Sequence, residues 1–435
     1  MSIFTSVSRT LWGDLSKDEF KKFGLLSATL LFIVGSYWLL RPVKDALFMH
    51  IVGKVYLPYA KIASIIFLVP LILLYSKLVD IFEKHKLIYI ITTCYGIFFI
   101  CTAYLLTNPT IGIANLTPCK YRIFGWVIYL GVESFASLVV TLFWSFVTSS
   151  TDNESAKRGY ALIFAGAQIG TIIGPSLAKH ARQIGVPLLV FIAACGIMII
   201  SLMIKFFIKI YPQTINVAVK EKKVSTGFLE GLRLLFTKPY LIGTFGVATL
   251  VSIISIIIEY EMNYLAFDTL HSTEKVIEFL GLYGQTANFL TLLIALIGTS
   301  FIIRNYGLTF SLVTYPVIVG IVIISVWISP TLWVLFTAMV TIKCLGYALN
   351  SPSKEILYIQ TSRDVKFKAK GWIDTFGDRS IKAVGGGINA LFPIMTDLLF
   401  YGSIISLGVV GIWILAALYV GKKNYQLVQE NKIIE

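Results

Sequence analysis

The sequence predicts an all-α polytopic membrane protein with about twelve transmembrane helices in two six-helix halves. Three observations predict it: apolar runs of membrane length recur from end to end, a single long polar interruption falls near the middle, and a weak repeat relates the two sides. Composition agrees, since 57% of the 435 residues are hydrophobic and 14% charged, with a mean hydropathy of +0.80. Such a chain prefers lipid as its solvent.

A run of roughly 20 apolar residues crosses about 30 Å of hydrocarbon. Hydropathy places helices at about 22–42, 57–79, 87–106, 122–149, 158–178 and 185–209, then 239–266, 276–302, 306–328, 330–359, 370–396 and 399–421. The division is therefore an N-terminal half over 1–210, a linker over 211–238 and a C-terminal half over 239–435. Within the linker, "TGFLEGLRLLF" has apolar residues at helical spacing, as an amphipathic helix on the membrane surface would.

The positive-inside rule sets the orientation. A cytoplasmic N-terminus puts "SKDEFKK", "FEKHK", "AKRG", "KEKK", "RDVKFKAKG" and "GKKNYQ" on one side, and the C-terminus with them. The first 20 residues lack an apolar core and a small-residue cleavage site, so no removable signal is expected and Trp12 rests at the interface. The same rule accounts for most of the net charge of +14, which in a soluble chain would point to nucleic acid; no nucleic-acid partner is expected here. Five cysteines, an odd number mostly inside helices, and four scattered histidines show no metal-ligand spacing. No metal or other cofactor is expected.

A shift of 212 positions lays "STDNESAKRGYALIFAGAQIGTIIGP" (150–175) on "SRDVKFKAKGWIDTFGDRSIKAVGGG" (362–387) without a gap. Asp152 meets Asp364, Arg158 meets Lys370, Gly159 meets Gly371, Tyr160 meets Trp372, Phe164 meets Phe376 and Gly174 meets Gly386. Two parallel six-helix halves joined by a polar linker are the plan of the major facilitator superfamily, whose substrates bind near the midplane between the halves. Gly166, Gly170, Gly174 and the run Gly385-Gly386-Gly387 fit either sliding helix contacts or plain small-residue packing.

Ionisable residues inside apolar spans carry the most information, because each costs about 2.5–3.5 kcal/mol at a helix centre and faces a partner or a cavity. They are Arg41 and Lys44 on helix one, Glu133 on helix four, Glu259 and Glu261 on helix seven, Lys354 and Glu355 on helix ten, and Asp374, Asp378, Arg379 and Lys382 on helix eleven. Helices one, four, seven and ten are the inner set of a two-half transporter. Arg41, near the expected end of its helix, fits a snorkelling anchor as well as a site residue.

Several cations, Arg as a planar fork and Lys as a point charge, suit a multiply anionic cargo such as phosphate or a nucleotide. Glu133 and Glu259 then hold lysines while the site is empty, with Asp45 orienting Arg41 or Lys44, and exchange of such a pair for a phosphate couples binding to closure. Tyr37, Trp38, Phe135, Tyr260 and Trp372 offer either base stacking or ordinary packing. The chain has no GxxxxGK[ST] loop, GxGxxG or HExxH, and no recognisable nucleophile and base, so an enzyme is not expected.

"LLRPVKDALF" followed by "YLPYAKI", "GVESFASLVVTLFWSF" running into "AKRGY", and "SPSKEILYI" followed by "KAKGWID" resemble the nucleotide transporter family, the ATP/ADP translocases of plastids and of intracellular bacteria and parasites. The resemblance covers most of the chain in order. It implies functional importance for Lys44, Glu133, Glu259, Lys354 and Lys382, and an exchange of ATP for ADP plus phosphate, with proton-coupled nucleotide import as the alternative and a non-transporting receptor or scaffold as a further one. It also implies a monomer in the bilayer of an intracellular bacterium or parasite, consistent with the abundance of Lys and Ile. The chain departs from the family in reading Met262-Asn263 where a Trp-Lys pair follows the helix-seven acid, and Ile381-Lys382 where Gly-Lys precedes the helix-eleven glycines.

Overall fold

The structure, a computed structural model, describes residues 16–151, 153–212, 233, 235–297, 305–362, 369–370, 372–373, 377–430 and 432–434. They form α1 (Lys17–Ile51), α2 (Leu57–Ile81), α3 (Lys84–Leu106), α4 (Ile123–Ser149), α5 (Asn153–Ala178) and α6 (Val186–Ile210), then α7 (Pro239–Leu270), α8 (Thr273–Ile297), α9 (Leu308–Ile328), α10 (Leu332–Leu345), α11 (Asp378–Leu391) and α12 (Ser403–Gln429). Among the described residues the extended pairing is one isolated bridge between Thr361 and Ile434. Ten segments of the described chain are long and apolar enough to cross a membrane. The other two expected spans, 276–302 and 370–396, fall on α8 and α11 and include residues outside the described set. The expected amphipathic helix of the linker also lies largely outside it.

Two elements differ from expectation in ways that move charges. Helix α1 does not end near 42 but runs through 35 residues to Ile51. Ser16 and Glu19 start it with a reciprocal capping box, Ser16 Oγ accepting from the Glu19 amide at 3.1 Å and Glu19 Oε2 accepting from the Ser16 amide at 3.0 Å. Pro42 lies inside the helix, as membrane helices tolerate when neighbours satisfy the freed backbone groups. Apolar residues Ala46 to Met49 and Ile51 then carry it on, so Arg41, Lys44 and Asp45 are interior positions rather than a terminus. Helix α10 is continued by a π-helical turn, Gly346–Asn350, before a short helix, Ser351–Leu357. A second π-helical turn, Leu398–Gly402, leads into α12.

The described residues fall into two compact units. The first takes them from within Met1–Lys54, Ile66–Lys222 and Leu270–Gln285, and the second from within Val55–Ile65, Lys223–Thr269 and Thr286–Glu435.

In the first unit α1 is the central helix, packed on α4, α5 and α6. Its contact with α5 is made by glycines at four-residue spacing: a Cβ on Gly166, Gly170 or Gly174 would stand 2.1, 2.7 or 2.4 Å from the carbonyl oxygen of Ser27, Leu31 or Gly35. Only glycine permits that backbone approach. Ser27 Oγ adds a hydrogen bond to the Leu162 carbonyl at 2.7 Å. The segment Leu270–Gln285, which begins α8, is fastened here by Arg182 Nε donating to Glu278 Oε2 at 2.5 Å.

In the second unit α9 packs on α12, with Tyr315 edge-on to Trp413 at 5.0 Å. Some of its buried polar groups find partners, which a water-free interior favours. Tyr240 on α7 donates to the Leu357 carbonyl at 2.9 Å and accepts from Asn424 of α12 at 3.0 Å.

Candidate functional site

In the first unit Arg41, Lys44 and Asp45 are three and four positions apart on α1 and share a face. Lys44 is 3% exposed. Its ammonium lies 2.7 Å from Asp45 Oδ1 and 3.0 Å from Glu133 Oε1. It also sits 4.1 Å from the ring centroid of Tyr129, one turn before Glu133 on α4, so one helix face supplies both a carboxylate and a π surface. Arg41 is half-buried and lies 5.1 Å from the Trp38 ring. Two cations and two carboxylates therefore balance, and Lys44 is a clamped charge rather than an exposed one.

In the second unit Glu259 pairs with Lys61 on α2, Oε2 to Nζ 2.9 Å, each side chain 12% exposed. Lys382 and Asp378, one turn apart on α11, meet at 2.7 Å, and Ser252 Oγ donates to the other Asp378 oxygen at 2.7 Å. Lys354, on the short helix after the π turn of α10, acts electrostatically on the same carboxylate. Asp378 therefore has two cations acting on it, Lys382 and Lys354, while Arg379 is the next residue, about 100° further around the helix; cations in excess of carboxylates suit phosphate oxygens. Glu355 is exposed and engages Lys370 at 2.5 Å instead. Glu261 is buried and unlike the rest, since its Oε1 has no hydrogen-bond partner among the described residues. Asp374 lies outside those residues.

The structure thus brings Lys44 to Glu133 within one unit and Lys354, Asp378 and Lys382 together within the other. It gives Glu259 a partner the sequence reading missed, Lys61. A cation four residues into an apolar span is easily taken for an interfacial anchor; its place in "YLPYAKI", inside the span, was the available signal. Lys343, half-buried on α10 three residues before the π turn, is a further cation inside an apolar span. Of the aromatics, Phe135 is buried against Tyr95 and Phe99, and Tyr260 is buried edge-on to Tyr264. For these two, packing is what the surroundings provide.

Residues 1–118 match the family model described as TLC ATP/ADP transporter. The chain is 23% identical to ADP,ATP carrier protein 3 of Rickettsia bellii, over 98% of this chain and 99% of that protein. It is 24% identical to ADP,ATP carrier protein 1 of Rickettsia prowazekii, over 98% of each, and 24% identical to the chloroplastic ADP,ATP carrier protein 2 of Arabidopsis thaliana, over 95% of this chain and 76% of that one. Among solved structures, it is similar to a bacterial homologue of the iron transporter ferroportin in its inward-facing state, with a TM-score of 0.66 at 13% identity, covering 94% of this chain and 100% of that one. The nucleoside transporter NupG gives 0.60 at 12% identity, over 92% and 99%. The fold is major-facilitator-like.

Proposed function

We propose that this chain, a member of the nucleotide transporter family, is a membrane antiporter that exchanges ATP for ADP plus phosphate. The observation that carries the nucleotide assignment is the full-length similarity to proteins named as ADP,ATP carriers. The charge geometry supplies the chemistry. Lys44 held by Asp45 and Glu133, and Lys382 held by Asp378, are pairs in which a substrate phosphate can replace a carboxylate. Because a ligand shifts a conformational equilibrium only by its differential affinity for the two states, such replacement ties binding to reorientation. Arg41, Lys354 and Arg379 complete the cationic set, and Glu259 positions Lys61.

In this reading the two six-helix halves, over 1–210 and 239–435, alternate access around that set, with both termini cytoplasmic. The protein acts as a monomer in the membrane of an intracellular bacterium or parasite, and it transports its nucleotides without cleaving them.

The test is uptake of labelled ATP into proteoliposomes preloaded with ADP, beside empty vesicles. Uptake that requires internal ADP is the expected result. Lys44→Ala and Lys354→Ala reduce it while inserting normally, and normal transport by both variants would overturn the site. Nucleotide binding without flux would identify a receptor instead.

A further inference from the structure

A carboxyl group inside a membrane fold needs a cation, a set of donors or a proton. Glu259 has the cation, Lys61. Glu261, two residues further along α7, is roughly 200° around the helix and faces other surroundings. It is 1% exposed, and Oε1 accepts no hydrogen bond among the described residues. Its space is provided by Gly402, the last residue of the π turn before α12. A Cβ on Gly402 would stand 3.2 Å from Glu261 Oε1, 3.2 Å from Ile257 Cγ2 and 3.4 Å from Leu398 Cδ1. Any larger residue at 402 would press on the carboxyl group.

The titratable groups of the surrounding elements are engaged elsewhere. On α7, Glu259 holds Lys61 and Tyr260 lies against Tyr264. On α9, Tyr315 donates to the Ile342 carbonyl; on α11, Asp378 holds Lys382 and Ser252. Asp397 and Tyr401 flank the π turn and Arg379 follows Asp378; among the described residues none of them pairs with Glu261. One turn beyond Gly402, on the same face of α12, Ser406 Oγ is likewise buried without a partner. A π turn is a frequent point of adjustment at functional sites, and here it separates an unpartnered acid from an unpartnered hydroxyl one turn away.

We propose that Glu261 is a proton-binding site of the transport cycle. In the conformation described, the carboxyl group is neutral. Rearrangement of the Leu398–Gly402 turn admits water beside it, and the acid releases its proton to that water, leaving a carboxylate that the Ser406 hydroxyl can meet. Return of the turn requires recapture of the proton. With release to water on one side of the membrane and recapture from the other, flux responds to a proton gradient. The proposal rests on the alternating-access reading of the chain but on no particular nucleotide.

Infrared spectra of the reconstituted protein test the site without any substrate. The carbonyl stretch of a protonated carboxyl group is expected in the wild type at neutral pH and is missing from Glu261→Gln and Glu261→Leu, two near-isosteric variants, either of which suffices if the other fails to fold. ATP uptake into ADP-loaded vesicles, with and without an imposed pH gradient, tests the coupling. Wild-type uptake changes severalfold with the gradient, and the ratio falls to about one in both variants. A wild type lacking the band, variants that retain it, a wild type indifferent to the gradient, or variants that respond like the wild type would each overturn the proposal. A band lost on substitution in a protein that moves no ATP or ADP would leave the proton site standing and retire the nucleotide reading instead.

Discussion

Lys44 and Glu261 are both almost wholly buried, at 3% and 1% exposure, and opposite means keep them there. The lysine has two carboxylates and an aromatic face within reach; the Oε1 of the glutamic acid lies by Gly402 with no hydrogen-bond partner among the described residues. In the first unit the interior charge is compensated. In the second the acid has no compensating charge, and neutrality must come from a proton. Sequence patterns mark both residues equally, as ionisable groups in apolar spans; the chemistry of each is decided by what the fold sets against it.

The sharpest way to break this contrast is to remove compensation where it exists. Asp45→Asn leaves Lys44 with one carboxylate, Glu133, where it had two; leaving a buried charge wholly uncompensated costs about 3–5 kcal/mol, which is the upper bound here. A large loss of folded protein in a detergent thermal-melt assay is expected. Glu261→Leu removes no partner and exchanges an unpaired polar group for an apolar one of similar size, so its melting temperature should equal or exceed that of the wild type. If Asp45→Asn melts like the wild type, Lys44 is not held as the geometry indicates.

The two units also differ in how their glycines are used, and this gives a smaller effect. Gly170 on α5 lies against the α1 backbone, whereas a Cβ at Gly387 on α11 would meet nothing within 4 Å. Gly170→Val is therefore expected to destabilise by about 1–3 kcal/mol through overpacking against atoms that cannot move aside. Gly387→Ala should change little, and equal melting temperatures for the two variants would contradict the close approach of α1 and α5. In the sequence, the run Gly385-Gly386-Gly387 and the spaced glycines 166, 170 and 174 read alike; the spaced set makes the tighter contact because four-residue spacing keeps all three on one helix face.

That difference shows what was legible and what was not. Helix positions could be read because membrane thickness dictates about 20 apolar residues per crossing. The continuation of α1 past Pro42 could not, because a proline ends a helix in water but is tolerated in a membrane when neighbours satisfy the freed groups. The π turns at Gly346–Asn350 and Leu398–Gly402 left no pattern in hydropathy. Glu133 and Glu259 were legible as acids in apolar spans, but the choice of Lys44 and Lys61 as their partners depends on which helices lie side by side. Lys61 in particular has the spacing of an anchor and the position of a partner.

The smallest effect on stability is expected where charge is least buried, and there the functional effect should be largest relative to it. Lys382 and Asp378 are 45% and 32% exposed and lie one turn apart on α11. An exposed pair of this spacing contributes about 0.3–0.5 kcal/mol, so Lys382→Ala should leave the melting temperature almost unchanged. If the ammonium exchanges its carboxylate partner for a phosphate oxygen, the same variant should bind ATP about tenfold more weakly, equivalent to about 1.4 kcal/mol. Lys382→Arg should keep part of that affinity, because charge is retained while the compact point donor is replaced by a planar fork. Binding measured in detergent by calorimetry, beside the melting curve, separates the two roles. Unchanged affinity in Lys382→Ala would make the pair structural and leave Lys354 and Arg379 as the phosphate ligands of this unit.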